Sequence, residues 1–159
     1  MTIYIGAVSR HSPANWQLAK SAGLWGVTRA RVSTARRVEA GDKFVIWLGG
    51  RGFGALCTVT DRSRSPRGVD EAPWDGGLYQ WKQVVPFKVD AELDSPLWLP
   101  FDGDAQERTG LSKVWFRSSF QPLPDNKGTA IISLILSAKA EEEELARLAG
   151  AGVTARGGR

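Results

Sequence analysis

The chain has 159 residues, in which 21 lysines and arginines stand against 17 aspartates and glutamates. This length predicts one domain with enough chain to bury a core. No apolar run is long enough to cross a bilayer, and the start of the chain lacks the layout of a signal peptide, so we expect a cytoplasmic protein that does not bind membranes. Cys57 is the sole cysteine and His11 the sole histidine, so we expect no disulfide, metal or cofactor.

The aromatic and charged composition favours one class of partner. The chain has seven tryptophans against two tyrosines, and flat indole rings are suited to stacking on nucleobases. Its net charge is +4 and its sequence pI is about 9.5, although the run Glu141 to Glu144 offsets part of the basic excess. The composition is compatible with binding a polyanion, and the alternative is that the charge serves solubility alone.

The first third of the chain predicts a strand, a helix and a hairpin. Residues 3–8 follow the alternating side-chain pattern of a strand and include several β-branched residues, which favour strands. Ser12 before Pro13 is a typical helix start, which predicts a helix over residues 13–22 that ends at Gly23. Further on, two apolar runs over residues 43–48 and 53–60 flank a glycine-rich turn and predict a β-hairpin.

The rest of the chain predicts a loop, further strands and two helices. Residues 61–75 are polar and read as a long surface loop. Residues 78–89 predict a strand that is bent near Pro86, and residues 97–101 a short extended piece. Asp125 is expected to cap one helix, residues 138–148 to form a last one, and residues 150–159 a flexible tail. The predicted fold is α+β: a curled mixed sheet or barrel of five to six strands with surrounding helices, within one domain over residues 1–149.

Trp25 is the strongest candidate for a site residue. It follows the predicted helix end at Gly23, where we expect it to lie in a turn and to be presented to a ligand. The alternative is a tryptophan that plugs the mouth of a barrel. For the other tryptophans packing is the expected role, with Trp74, in the long loop, the open case. The residues expected to pack are Trp16, Trp47, Trp81, Trp98 and Trp115.

The order of these parts resembles a known family, the EVE domain. The similarity rests on the stretch from Asn15 to Gly26, on the Gly41-Asp42 turn and on the glycine-rich hairpin after it. EVE domains belong to the PUA-like superfamily, together with the YTH readers of methylated adenine and the ASCH domains. The resemblance covers roughly residues 2–137. The stretch Gly76 to Trp81 is also similar to the strand that follows the second cage wall in YTH domains.

The resemblance implies recognition of a modified base that is flipped into an aromatic pocket. The expected target is 5-methylcytosine or 5-hydroxymethylcytosine in DNA, and the alternative is a modified base in RNA. By position in the motif, Asn15 corresponds to the base-binding asparagine and Trp25 to the first cage tryptophan, while Trp74 and Asp75 compete for the second wall. The residues expected to bind the base are Asn15, Leu24, Trp25, Gly26, Val27, Trp74 and Asp75, the small and apolar ones among them offering a niche for the methyl group.

Arginines near these segments are candidates for phosphate contacts. They are dense and nearly free of acidic neighbours along the sequence, which favours phosphate binding over a merely solvated surface. The residues expected to bind phosphate are Arg10, Arg29, Arg31, Arg62, Arg64 and Arg67.

Two other classes of function are alternatives, an enzyme and a protein-interaction module. Some ASCH relatives are enzymes that use a lysine with a nearby threonine and glutamate. Lys20 and Thr28 are present here, but no glutamate is expected at a helpful place near them, and no nucleophile triad or phosphate loop is visible, so we expect no enzyme. The other class is a protein-interaction module whose tryptophan-rich surface docks a partner, for example a nuclease.

Overall fold

The protein is described here by a computed structural model, which covers residues 1–99, 113–116 and 119–157. The strands are β1 Ile3–Val8, β2 Leu24–Thr28, β3 Lys43–Leu48, β4 Gly52–Val59, β5 Trp81–Leu97 and β6 Phe120–Leu123. The α-helices are α1 Ala14–Ala22, α2 Val32–Ala35, α3 Gly77–Gln80 and α4 Asp125–Gly157, and short 3₁₀ helices span Arg29–Arg31, Val69–Glu71 and Lys113–Phe116.

The six strands form one mixed sheet in the order β2-β5-β4-β3-β1-β6. Strand β1 runs parallel to β3, and the other pairs are antiparallel. The long strand β5 curls the sheet, because its first half pairs with β2 and its second half with β4. The predicted α+β class and the curled sheet of five to six strands are therefore confirmed, as is the hairpin of β3 and β4.

Alternating side chains divide the interior into two cores. On β3, Phe44 and Ile46 belong to an inner core that also holds Trp16 of α1 and Trp25 of β2. The residue between them, Val45, faces the opposite way into an outer core, which α4 covers. Successive strand residues point to opposite faces, so β1, β3 and β4 each contribute side chains to both cores. One side of the sheet therefore holds α1, and the other side holds α4.

Cys57 is fully buried in the inner core. Burial, with smaller contributions from Asp90 and Glu92, raises the pKa of its thiol well above the ordinary value. Among the described residues, no helix combines the length and the apolar composition that a membrane span requires.

Three predicted elements differ from the structure. The strand expected over residues 78–89 begins only at Trp81, because the turn Gly77–Gln80 is helical and follows Gly76, whose φ is 92°. The two helices expected at the end of the chain are one, α4, since no glycine or proline interrupts residues 129–149. The same helix continues to Gly157, so the tail expected from residue 150 is helical over most of its length. The extended piece expected over residues 97–101 lies partly outside the described residues.

Helix α1 begins close to its predicted position. Its first residue is Ala14, and Pro13 precedes it without a side-chain cap. The hydroxyl cap expected from Ser12 is therefore not formed, and the Ser12 carbonyl instead accepts a hydrogen bond from the backbone N–H of Asn15. Gly23 ends the helix with φ of 66°, a left-handed conformation that favours glycine, as predicted.

Candidate functional site

A cavity of about 900 Å³ opens beside the carboxyl ends of β1 and β3. Its lining includes members of residues 10–16, 24–27 and 72–76, the segments that carry the candidate base-binding residues. The lining residues among the described part of the chain are Ala7, Val8, Ser9, Arg10, His11, Ser12, Asn15, Ala19, Trp25, Gly26, Thr28, Trp47, Gly49, Gly50, Trp74, Asp75, Gln80, Trp81, Trp98, Phe116 and Ser119.

Trp25 lines this cavity from strand β2 and not from a turn, so its predicted local structure is wrong. The side chain is only 4% exposed, because its ring meets Trp16 and Phe44 at interplanar angles of 60°. The ring also lies on Gly6, where an added Cβ would be 2.7 Å from Trp25 Cζ2. Its indole Nε1 is buried without a hydrogen-bond partner among the described residues. Trp25 is thus both a core residue and a wall of the cavity.

Trp74 provides a second wall, and Asp75 lies beside it. The Trp74 ring is 5% exposed and lies against β2, where an added Cβ on Gly26 would be 2.6 Å from its Cζ3. Its Nε1 donates a hydrogen bond of 3.3 Å to the carbonyl of Asn15, which ties the loop to helix α1. Asp75 is exposed and also lines the cavity. The two residues do not compete for one place, since the ring is buried and the carboxylate is exposed.

A third tryptophan lies at the same end of the cavity. Trp81, expected to pack in the core, is half-buried and lines the cavity. Its ring centroid is 5.3 Å from that of Trp74, and its Nε1 donates a 2.8 Å hydrogen bond to the carbonyl of Asp75. The similarity of residues 76–81 to a strand in YTH domains indicated that this segment lies near the site. It did not indicate that Trp81 lines the cavity. We call Trp25, Trp74 and Trp81 the inner aromatic wall.

The remaining residues expected to bind the base fall into two groups. Asn15 on α1 is half-buried and lines the cavity next to the inner aromatic wall, and Gly26 lines it on β2. Leu24 and Val27 are buried in the inner core and do not line the cavity, so their expected place in a methyl niche is wrong. Gly26 provides no niche either, because the Trp74 ring fills the space beside it.

Several polar lining residues were not predicted from the sequence. They are Ser9, His11, Ser12, Thr28 and Gln80. Each is a common surface residue in its sequence context, and only the folding of β1, α1 and α3 around one opening brings them together. They give the cavity hydroxyl, imidazole and amide groups in addition to the carboxylate of Asp75.

Of the candidate phosphate-binding arginines, only Arg10 lines the cavity, and it is exposed at its rim. Arg29 directly follows the lining residue Thr28, while Arg62 and Arg67 are exposed on the loop before Trp74. Arg64 differs from the others, because its guanidinium donates to Glu71 at 2.8 Å. The expectation that this cluster lacks acidic neighbours is therefore wrong for Arg64. Arg31 closes a 3₁₀ turn and is half-buried.

A second cavity, of about 470 Å³, lies on another face of α1. Here Lys20 Nζ is 2.7 Å from Glu92 Oε2, and the same oxygen accepts a hydrogen bond of 2.8 Å from Trp16 Nε1. The expectation that no glutamate stands near Lys20 is thus wrong, because β5 brings Glu92 to it across the fold. Thr28 lines the other cavity, so the lysine, threonine and glutamate do not meet in one site.

Within the described ranges, no group of three or more His, Cys, Asp or Glu side chains could hold a metal ion. Neither cavity therefore shows a metal site built from the residues that the structure describes.

The sheet order, its curl and the placement of the helices define an α+β fold built on one curled mixed sheet. No protein-family model matches the sequence, and no curated protein matches it either. Solved structures do match at the level of fold.

Three of these solved structures contain nucleic acid or a modified base. The Mmi1 YTH domain in complex with RNA has a TM-score of 0.61 and 13% identity, over 89% of this chain and 81% of that chain. The Pho92 YTH domain in complex with m6A has a TM-score of 0.58 and 13% identity, over 84% and 82%. Human THYN1 in complex with DNA containing 5-methylcytosine has a TM-score of 0.57 and 13% identity, over 84% and 97%. At this identity the likeness establishes the fold.

Proposed function

We propose that this protein is a reader of modified bases in nucleic acid, and that the modified base is extruded into the large cavity. The observation that carries the proposal is the inner aromatic wall, which places three indoles beside the amide of Asn15 in one opening. The three solved relatives with RNA, m6A or 5-methylcytosine DNA share the fold on which this opening is built.

The energetics of extrusion are compatible with such a wall. Taking a base out of the stack costs a few kcal/mol, and stacking on an aromatic side chain returns about 1 to 3 kcal/mol per base. Trp25 and Trp74 are held by close packing on Gly6 and Gly26 and are 4% and 5% exposed. Their orientation is therefore fixed before a ligand arrives, which lowers the entropic cost of binding.

The polar groups at the opening favour a base with an exocyclic amine. The carboxylate of Asp75 accepts hydrogen bonds only, while the amide of Asn15 can both donate and accept. Cytosine presents its amine as a donor, which suits Asp75. We therefore propose 5-methylcytosine or 5-hydroxymethylcytosine in DNA as the target. Asp75 and Asn15 would read the base edge, and the aromatic faces would select the modified pyrimidine by contact.

The second candidate is a methylated adenine in RNA. It is favoured by the likeness to the Mmi1 and Pho92 YTH domains, whose TM-scores of 0.61 and 0.58 are no lower than the 0.57 of THYN1. Adenine also carries an exocyclic amine, so the same carboxylate and amide could address it.

Phosphate contacts complete the proposal. We propose that Arg10 at the rim binds the phosphate next to the extruded base, and that Arg29, Arg31, Arg62 and Arg67 follow the backbone on either side. Arg64 is left out because Glu71 already neutralises it. A reader acts by recruiting an effector, and a nuclease is the partner that we propose.

The experiment is a titration of one labelled duplex carrying cytosine, 5-methylcytosine or 5-hydroxymethylcytosine at a single position, beside an RNA strand with adenine or N6-methyladenosine. We expect the modified duplexes to bind at least about tenfold more tightly than the plain one. Preference for the methylated RNA would support the cavity as the binding site but would identify methylated adenine, and not modified cytosine, as the target. Equal affinity for all five ligands would contradict the proposal.

An Asp75→Asn variant tests which groups read the base edge. The amide adds a donor that faces the cytosine amine, so the preference among bases should shift away from cytosine, modified or plain, while binding to the phosphate backbone is kept. An unchanged preference would remove Asp75 from the site.

A further inference from the structure

A second group of aromatic side chains lines the opposite end of the same cavity. Trp47, Trp98 and Phe116 lie there, and we call them the outer aromatic cluster. The Trp47 ring centroid is 4.3 Å from that of Phe116 and 5.6 Å from that of Trp98. Trp47 is 3% exposed, whereas Trp98 is 48% exposed, a large exposed area for an indole. The cluster thus has a rigid base and one ring that is open to solvent.

The inner aromatic wall and the outer aromatic cluster lie on different faces of the sheet. Trp25 and Trp74 belong to the inner core, and Trp47 and Phe116 pack in the outer one. The last two residues of β1 show the same division, since Val8 faces the inner core and Ala7 the outer one. The cavity therefore passes around the end of β1 and β3 and connects the two faces.

The size of the cavity exceeds the need of one base. Ligand pockets that enclose drug-sized molecules hold about 300 to 1,000 Å³, and this cavity, at about 900 Å³, is near the upper end of that range. A nucleobase is smaller than such molecules. The extruded base against the inner aromatic wall would leave the outer end unfilled.

A glycine turn and an arginine lie between the two ends. Gly49 packs so closely against the chain after β1 that an added Cβ would be 2.6 Å from the backbone nitrogen of Arg10. The Gly49 amide donates to the carbonyl of Val8 at 2.8 Å, which fixes this approach. Arg10 and Gly50 both line the cavity here. Among the described lining residues, Arg10 thus provides a positive charge between two aromatic surfaces.

We propose that the outer aromatic cluster is a second base subsite, in which the nucleotide next to the extruded base stacks on Trp98. The strand passes around the end of β1 and β3, and Arg10 binds the phosphate that joins the two nucleotides. This inference rests on the proposed function, because it needs the first base in the inner end. Stacking is tolerant of base identity, so the subsite adds affinity for an unpaired neighbour with little sequence preference.

The test compares single-stranded ligands of one and two nucleotides. The probes are 5-methyldeoxycytidine monophosphate and N6-methyladenosine monophosphate together with their unmethylated counterparts, each alone and with one thymidine or uridine nucleotide added on either side. For the parent protein we expect one of the dinucleotides to bind about 5- to 150-fold more tightly than its mononucleotide, the range that one stacked base provides. In Trp98→Ala this gain should vanish while affinity for the mononucleotide stays within about twofold.

Two further variants keep the result interpretable. Trp98→Phe retains an aromatic face and should keep most of the gain, whereas Leu136→Ala removes an exposed apolar side chain of 48% exposure on α4 and should change nothing. Thermal unfolding of each variant checks that the fold is kept.

The outcomes separate the two proposals. A parent protein that binds a modified mononucleotide but gains nothing from the neighbour, or a Trp98→Ala variant that keeps the gain, would overturn the second subsite alone. A parent protein that does not distinguish modified from plain mononucleotides and dinucleotides would overturn the reader function, and the subsite with it.

Discussion

Helix α1 separates two cavities that differ in how their polar groups are satisfied. Asn15 and Ala19, four residues apart, face the larger one, while Trp16 and Lys20 face the smaller one. In the smaller cavity Lys20, Trp16 and Glu92 satisfy one another within 2.8 Å. In the larger one the walls are aromatic, and the Nε1 of Trp25 is buried without a partner among the described residues.

The difference indicates where a ligand gains most. A ligand in the smaller cavity would have to compete with an ion pair that is already formed, and it would lose as much as it gains. A flat ligand in the larger cavity would cover indole surface without breaking a hydrogen bond inside the protein. Both cavities are lined by residues of α1, but their polar groups differ. Variants in one cavity can therefore serve as controls for variants in the other.

The largest effect expected is on stability, from truncating Trp25. Trp25→Ala removes a ring that packs on Gly6, Trp16 and Phe44, so the free energy of unfolding should fall by about 3 to 5 kcal/mol. Denaturant unfolding measures this. Trp98→Ala, at a ring that is 48% exposed, should cost much less. If both variants lose the same small amount, Trp25 is not the core residue that the structure describes.

Gly26→Ala should damage the larger cavity while leaving Trp25 and Trp74 present. The added methyl group would meet the Trp74 ring at 2.6 Å and push it from its place. We expect affinity for the modified ligand to fall by about tenfold or more, with a stability loss of about 1 to 3 kcal/mol from overpacking. The matched control is Gly150→Ala on α4, where the added methyl group meets open space and a gain of about 0.5 to 1 kcal/mol is expected. Unchanged affinity in Gly26→Ala would show that the position of Trp74 does not matter for binding.

Arg62 and Arg67 test the phosphate contacts. Replacing both by glutamine should weaken binding to modified and plain ligands alike and should reduce the slope of log affinity against log salt by about 2. The control is Arg64→Gln, whose guanidinium pairs with Glu71 and should leave the slope nearly unchanged. A salt slope that is the same in all three proteins would place the phosphate backbone elsewhere.

The smallest effect is expected in the smaller cavity. Lys20→Met breaks a partly exposed ion pair, with side chains 21% and 38% exposed, and leaves Glu92 its hydrogen bond from Trp16. The stability loss should be about 1 kcal/mol or less, and affinity for modified ligands should stay within about twofold. A tenfold loss of binding would move the site to this side of α1.

The local signals in the sequence predicted most of the fold. The alternation of β1, the glycine that ends α1 and the glycine-rich turn between β3 and β4 each act within a few residues, and each was read correctly. The helical turn Gly77–Gln80 escaped prediction because it lasts one turn, too short for any periodicity to show. The single helix α4 was divided wrongly because a change of composition near residue 138 was taken for a change of structure.

The sequence predicted some residues of the candidate site and missed others. Asn15, Trp25 and Trp74 lie together in one cavity as expected. Trp81, Trp47 and Trp98 join them only because β3 and β5 are brought to the same opening by the curl of the sheet. Likewise the contact of Lys20 with Glu92 spans 72 residues of sequence, a distance across which residue patterns carry no signal.

The most direct test of the reader function follows the indole N–H signals by NMR during titration with an oligonucleotide that carries the modified base. Seven signals are expected from the seven tryptophans, and single Trp→Phe variants assign them. The signals of Trp25, Trp74 and Trp81 should shift, Trp25 most strongly because its Nε1 is buried without a partner among the described residues. The signal of Trp16, which donates to Glu92 in the smaller cavity, should stay in place. A large shift of Trp16 with the inner aromatic wall unchanged would contradict the proposed site.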